Sequence, residues 1–212
     1  MTQVAAIILA AGASTRLGRC KQILDWKGKP LLAHVADTAL GAGLDPVIAV
    51  LGCHAQQTYA ALGNRPLQAL TNWRWQDGMS TSVLTGLSAV PPETDAVLIL
   101  QADQPLISAQ LLRVLVQRFV ETRAPIVYPT YEGQRGTPVL FARRLFGELA
   151  AVTGDEGGRS LIARHADDVA TVPVASADEL ADLDTLADYR RIQAVTPPTQ
   201  SVACLRLSLI HI

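Results

Sequence analysis

The sequence predicts a doubly wound α/β fold, a mostly parallel sheet in three layers with helices on both faces. Three observations carry that expectation. Apolar runs alternate with helical patterns along most of the chain, which is how parallel sheets are built. Val4–Leu9 (VAAIIL) and Ala96–Gln101 (AVLILQ) are nearly continuous apolar runs rather than alternating ones, so both of their faces are expected to be covered. The first run breaks at Gly12 into a polar, glycine-bearing loop, and ligands of such folds sit at the carboxyl ends of the strands.

Taken in order, the first strand and its loop lead to a helix from Pro30 to about Ala42, with Leu31, Leu32, Val35 and Leu40 on one face and Gly41 and Gly43 closing it. Pro46–Leu51 is a second strand, Ala55–Leu62 a helix and Leu67–Thr71 a weaker strand. Ser80–Ala89 reads as a helix, followed by the central strand Ala96–Gln101. Ile107–Thr122 is amphipathic and helical, and Ile126–Pro129 is another strand. Thr130–Phe141 (TYEGQRGTPVLF) breaks the alternation and reads as a hairpin or insertion over the site. The expected organisation is one domain over residues 1–192, with 193–212 a tail of different composition and no partner in the pattern.

The bulk properties narrow the function classes. Of 212 residues, 49% are hydrophobic and 17% charged, and the net charge is −1 with both signs mixed, so no basic patch points to nucleic acid or a membrane surface. Cys20, Cys53 and Cys204 are odd in number and far apart, which indicates neither a disulfide framework nor a zinc site. The apolar run Val4–Ala11 is too short for a membrane span. A cytoplasmic enzyme is the expectation.

The loop Leu9–Gln22 reads L-A-A-G-A-S-T-R-L-G-R-C-K-Q. Its small residues let backbone approach a ligand, successive N–H groups can form an anion nest, and Arg16 and Lys21 add the positive charge a triphosphate needs. Named motifs fail: five residues separate Gly12 from Gly18 with Lys21 not adjacent, against G-x-x-x-x-G-K-S/T, and neither G-x-G-x-x-G nor G-x-S-x-G is present. The alternative is a tight turn with solvated charges. Asp103, in Q-A-D-Q-P-L, follows the central strand where a site belongs, and it suits a hard cation such as Mg²⁺, which takes one or two protein carboxylates. Its alternative, capping the next helix, is weakened because Ser108 can do that. Asp182 and Asp184 alternate along a segment that, if extended, presents both on one face; the alternative is capping of the last helix, Leu186–Ile192.

L-A-A-G-x-S-x-R-x-G-x-x-K resembles the signature of the MobA-like nucleotidyltransferases, and the likeness extends from Val4 to about Ile192. It implies a nucleotide-diphospho-sugar transferase-like (Rossmann-like) fold. By position it implies that Leu9, Ala10, Ala11, Gly12, Ser14 and Arg16 wrap the nucleotide, that Lys21 meets the α-phosphate, and that Asp103, Asp184 and Asp182 serve the metal, the last two from A-D-L-D-T-L. Asn72 and the run Gly78-Met79-Ser80-Thr81-Ser82 resemble the family's N-x-x-W-x-x-G-x-x-S-S element beside the base, with Ser80 or Ser82 for a base or ribose edge, although Ser80 is equally placed to cap its helix, and Trp73 and Trp75 read as packing residues. G-R-C-K-Q-I-L-D-W-K-G resembles the cytidylyltransferase pattern, which implies CTP and, as acceptor, a molybdopterin-type phosphate, with a recipient molybdoenzyme or its chaperone downstream. Arg135, Gly136, Thr137 and Pro138 resemble the family's R-G-H-P element, with threonine for histidine, and Arg159 sits in a glycine-rich turn suited to an acceptor phosphate. Guanylyl transfer, sugar-1-phosphate nucleotidyl transfer, a regulatory module without turnover and a dinucleotide-binding oxidoreductase are the rivals.

Overall fold

The structure is a computed structural model and describes residues 2–14 and 17–194, with the side chains of residues 193 and 194 excepted. The expectations for Arg16 and for the tail beyond 194 lie outside those residues.

The chain runs β1 (Val4–Ala10), a 3-10 turn at Lys21–Ile23, β2 (Asp25–Trp26), β3 (Lys29–Pro30), α1 (Leu31–Gly41), β4 (Val47–Leu51), α2 (Ala55–Leu62), β5 (Gln68–Thr71) and α3 (Met79–Leu87). It continues through β6 (Ala96–Gln101), α4 (Ala109–Thr122), β7 (Ile126–Tyr131), β8 (Gln134–Arg135), β9 (Val139–Ala142), α5 (Phe146–Ala150), α6 (Arg159–Arg164), β10 (Val169–Pro173) and α7 (Leu186–Ala194). The main sheet is ordered β10-β7-β9-β6-β1-β4-β5, with β8 hanging from β7. Strand β1 lies parallel between β6 and β4, Ile7 facing Ile99 on one side and Ile48 on the other.

Burial explains the continuous apolar strands. Alternate residues of β1 face opposite layers: Val4, Ala6 and Ile8 pack with Leu32, Val35, Leu112 and Leu115 from α1 and α4, while Ala5 and Ile7 pack with Val83 of α3 and Leu161 of α6. Helix α4 buries Leu111, Leu112, Leu115 and Phe119, and Ser108 caps it by accepting from the Leu111 amide at 3.1 Å. Such a cap stabilises by about 1 kcal/mol. The expected alternation therefore holds, and Asp103 is spared the capping role.

The region 130–141 is both a hairpin and an insertion. Strand β7 continues to Tyr131 and turns into β8, and β9 then inserts between β6 and β7, antiparallel to both. Its four residues, Val139–Ala142, are all buried, which is why a short segment can hold a central place. Two departures from the sequence reading occur nearby. The loop after β1 folds back into a two-stranded antiparallel ribbon, β2–β3, and β10 adds a parallel edge strand to β7. A third cluster, Trp26, Leu31, Leu106, Leu183 and Ile192, joins the ribbon, the turn after β6 and α7. Among the described residues no helix is long and apolar enough to cross a membrane.

Candidate active site

Two compartments open at the carboxyl ends of β1 and β6. A narrow notch of about 130 Å³ is lined by Ala11, Gly12, Lys21, Gln22, Ser82 and Asp103. A wider cleft of about 490 Å³ lies beside it, and Leu9, Met79 and Gln101 border both.

The notch is shaped by the glycine loop. Ala10 and Ala11 are buried, and a Cβ on Gly52 would lie 2.6 Å from Ala11, so β4 and the loop touch backbone to side chain. A Cβ on Gly12 would meet nothing within 4 Å, so packing within the chain does not require that glycine. The space beside it leaves the backbone open to close approach. Gln22, buried at 2% exposure, holds the loop: its Nε2 donates to the Ala10 and Gly12 carbonyls at 3.3 and 3.0 Å, and its Oε1 accepts from Ser14 Oγ and Cys20 Sγ. Ser14, at φ 56°, accepts in turn from the Lys21 amide at 3.1 Å. The Ser14 hydroxyl is thus engaged in closing the loop. Sequence reasoning passed over Gln22; the signal was a polar residue beside Lys21 in a stretch that had to bury one side.

Lys21 Nζ bonds Asp103 Oδ2 and lies 3.1 Å from Asp184 Oδ1. Burial, the largest influence, pulls its pKa down, but the charges and hydrogen bonds of the two aspartates outweigh it and raise the pKa, so the ammonium stays charged. Asp103 is 7% exposed, and its other oxygen, Oδ1, is buried without a hydrogen-bond partner. A buried carboxylate oxygen with no donor is poised for a cation. Among the described residues no group of three or more His, Cys, Asp or Glu side chains forms a ready metal cage. The donor set still fits a magnesium-like ion that arrives with phosphate and water oxygens of its own.

Asp182 and Asp184 flank Leu183, which is wholly buried and whose amide donates to the Asp103 carbonyl at 2.9 Å. That anchor turns both aspartates toward the site from an irregular segment rather than a strand. Asp184 reaches Lys21, whereas Asp182 lines the wide cleft. Enclosure by protein and then the negative charge of Asp103 push the Asp182 pKa up to about 6, while part of the residue's surface stays exposed at the cleft. The three aspartates share a neighbourhood without converging on one point. Helix α7 is capped by Thr185 and Asp188, which exchange hydrogen bonds of 2.7 to 3.1 Å, so the capping alternative does not claim Asp182 or Asp184.

Behind Ser82 of the notch, the buried Asn72 donates to Thr81 Oγ1 and Ser82 Oγ at 2.8 and 2.9 Å and accepts from the Arg74 amide. Its amide positions the start of α3. Ser80 does not cap that helix: the N-cap is Gly78, and Ser80 is buried inside the first turn. Trp73 is 87% exposed among the described residues, where the chain leaves the edge strand β5, so the packing role expected of it is not realised there.

The wide cleft gathers Arg135, Gly136, Thr137 and Arg159 over a floor of Val83, Ile99, Val139, Phe141, Ile162 and Leu180. Pro138 is buried behind it. Gln104, at 2% exposure, ties the walls by donating to Thr137 Oγ1 and to the Leu180 carbonyl, another contact the sequence did not announce. Helix α6 has six residues, so Arg159 brings its charge to the cleft with little help from a helix dipole.

Residues 6–169 match the MobA-like NTP transferase domain family. The nicotine blue oxidoreductase of Paenarthrobacter nicotinovorans is 30% identical over 196 residues, 89% of this chain and 96% of that protein. Rv0371c of Mycobacterium tuberculosis superposes with a TM-score of 0.81 at 32% identity, covering 91% of this chain and 98% of that one. A structure of Rv0371c in complex with manganese superposes at 0.78, with 30% identity over the same shares. With the resemblance read from the glycine loop now matched across sequence and fold, the chain belongs to the MobA-like NTP transferase domain family and is a nucleotidyltransferase.

Proposed function

We propose that the chain transfers CMP from CTP to the phosphate of a molybdopterin-type acceptor and releases pyrophosphate. The observation that carries this reading is the pairing of a charged notch around Lys21 and Asp103 with an adjoining cleft floored by aliphatic and aromatic side chains. A flat ring system bearing a phosphate suits such a floor, with Arg135 and Arg159 for the phosphate. The preference for CTP rests on the K-Q-I-L-D-W-K-G stretch, residues 21–28. Residues 1–192 act in this reading as one cytoplasmic catalytic domain, handing product to a recipient molybdoenzyme or its chaperone.

An oxygen of the acceptor's phosphate monoester attacks the α-phosphorus, a new P–O bond forms, and the bond to the β-phosphate oxygen breaks. The monoester is already ionised at neutral pH, so no side chain has to remove a proton. Gln22 and Ser14 keep the loop amides aimed at the phosphates, and Lys21 leaves its aspartates to meet the charge that builds on the α-phosphate. Asp103, with Asp184 and Asp182 nearby, would hold Mg²⁺, which supplies charge neutralisation on the triphosphate when bound.

The test is pyrophosphate release from CTP, GTP and ATP with Mg²⁺ and molybdopterin. The highest kcat/KM is expected with CTP. Equal or better use of GTP overturns the cytidylyl assignment, and turnover only with a sugar 1-phosphate overturns the acceptor. Nucleotide binding without release of pyrophosphate would mark a regulatory module. The oxidoreductase named among the relatives raises one further reading, reduction of a flat ring by a nicotinamide; no G-x-G-x-x-G follows β1, and oxidation of NADH or NADPH by a chromophore tests it directly.

A further inference from the structure

Helix α3 begins at Met79, and its N-cap residue, Gly78, has no side chain to cap it. Its first amide, Met79 N–H, donates instead to Asp155 Oδ1 at 3.0 Å, across 76 residues of sequence. The two segments also touch through glycines. A Cβ on Gly78 would fall 2.5 Å from the Gly154 carbonyl carbon, and one on Gly157 would fall 3.0 Å from Met79 Sδ. Gly78, Gly154 and Gly157 all have positive φ, at 107°, 69° and 56°, so these turns are shaped for close approach. Met79, held at this junction, borders both the notch and the wide cleft.

We infer that Asp155 is a positioning residue: it caps α3 from the opposite wall and seats Met79 as the partition between the two compartments, so that ordering one wall orders the other. A carboxylate at a helix N-terminus satisfies an otherwise unpaired N–H and meets the positive end of the helix. The same bond fixes the turn at 154–158, which has no regular element of its own beyond a single 3-10 turn. Nucleotide contact with the α3 side then stiffens the turn on the other side, and an acceptor entering a stiffened turn loses less conformational freedom. The inference rests on the reading that the nucleotide occupies the notch beside Lys21.

The test is hydrogen exchange on the full chain, with and without CTP and Mg²⁺, in wild type, Asp155→Ala and Asp155→Asn. Without ligand, Asp155→Ala is expected to speed exchange in residues 79–82 about fivefold, the usual effect of losing a cap. Asp155→Asn keeps an accepting oxygen and should stay near wild type. With CTP, wild type should gain protection at 9–22 and at 154–160, while Asp155→Ala gains it only at 9–22. Unchanged ligand-free exchange in Asp155→Ala overturns the cap, and an Asp155 that served only as an acceptor contact would give that result. Full protection of 154–160 by CTP in Asp155→Ala overturns the coupling. If CTP protects nothing at 9–22 in wild type, the nucleotide reading fails and the coupling with it, while the cap still stands or falls on the ligand-free rates.

Discussion

The notch and the wide cleft share a border yet are built by opposite means. In the notch Gln22 is tied to the loop carbonyls, Ser14 to Gln22 and to the Lys21 amide, and Lys21 to Asp103 and Asp184. In the wide cleft the floor is apolar, and the charges of Arg135 and Arg159 stand exposed at its rim. In the proposed reaction the difference sets where each half would get its selectivity. A phosphate chain is recognised by fixed amides and charges, which must be held before it arrives. A bulky acceptor is recognised by shape and by mobile cations, which settle after it arrives.

If that contrast is right, the largest effects belong to the notch. Asp103→Asn should lower metal-dependent kcat on the order of a thousandfold while the chain stays folded by circular dichroism; near-normal turnover at low magnesium would remove Asp103 from the site. Lys21→Ala should lower kcat and kcat/KM together about a hundredfold, with CTP affinity changed less, and Lys21→Arg should rescue poorly because a planar fork cannot replace a compact point charge in a tight loop. Near-normal single-turnover rates in both variants would return Lys21 to a structural role. On the cleft side, Arg159→Ala should raise the acceptor KM about tenfold with kcat and the CTP KM held. A loss of kcat instead would blur the two compartments.

The smallest effect is a matter of stability. The Asp182 carboxyl has a folded pKa of about 6 against an ordinary 3.8, so the folded chain holds its proton more tightly than the unfolded one. Its neutral form is the favoured one; the contribution of this group to stability is full below pH 3.8 and is lost as pH rises through about 6. In metal-free buffer Asp182→Asn should therefore raise Tm at pH 8 by about 2 °C and change it little at pH 4. The open side of the residue keeps the gain small. An equal gain at both pH values would point to packing rather than charge.

Much of this was legible beforehand because the relevant signals are local. The break after Leu9, the small residues to Gly12 and the position of Asp103 after an apolar strand each follow from a few neighbouring residues. What was not legible depends on distant partners. Nothing near Asp155 says that its carboxylate caps a helix 76 residues earlier, and nothing near Gln104 says that it reaches Thr137 and Leu180. Strand β9 carries a readable apolar run, but its antiparallel place between β6 and β7 is set by which edges are left open. Ser80 looked like a cap because serine before an apolar run usually is one; the helix begins one residue earlier, at Met79, and takes its cap from elsewhere.

The inserted strand also has a consequence for how the chain is made. β6 pairs with β1 on one side, but its other edge is satisfied only by Val139–Ala142, about forty residues further on. Until those residues leave the ribosome, Ala96–Ile99 stands as a bare apolar edge on an otherwise complete half-sheet, and such edges recruit other chains. A chain ending between residues 101 and 139 therefore keeps a sticky edge, while Val139–Ala142 close that edge and build the floor of the wide cleft in the same step.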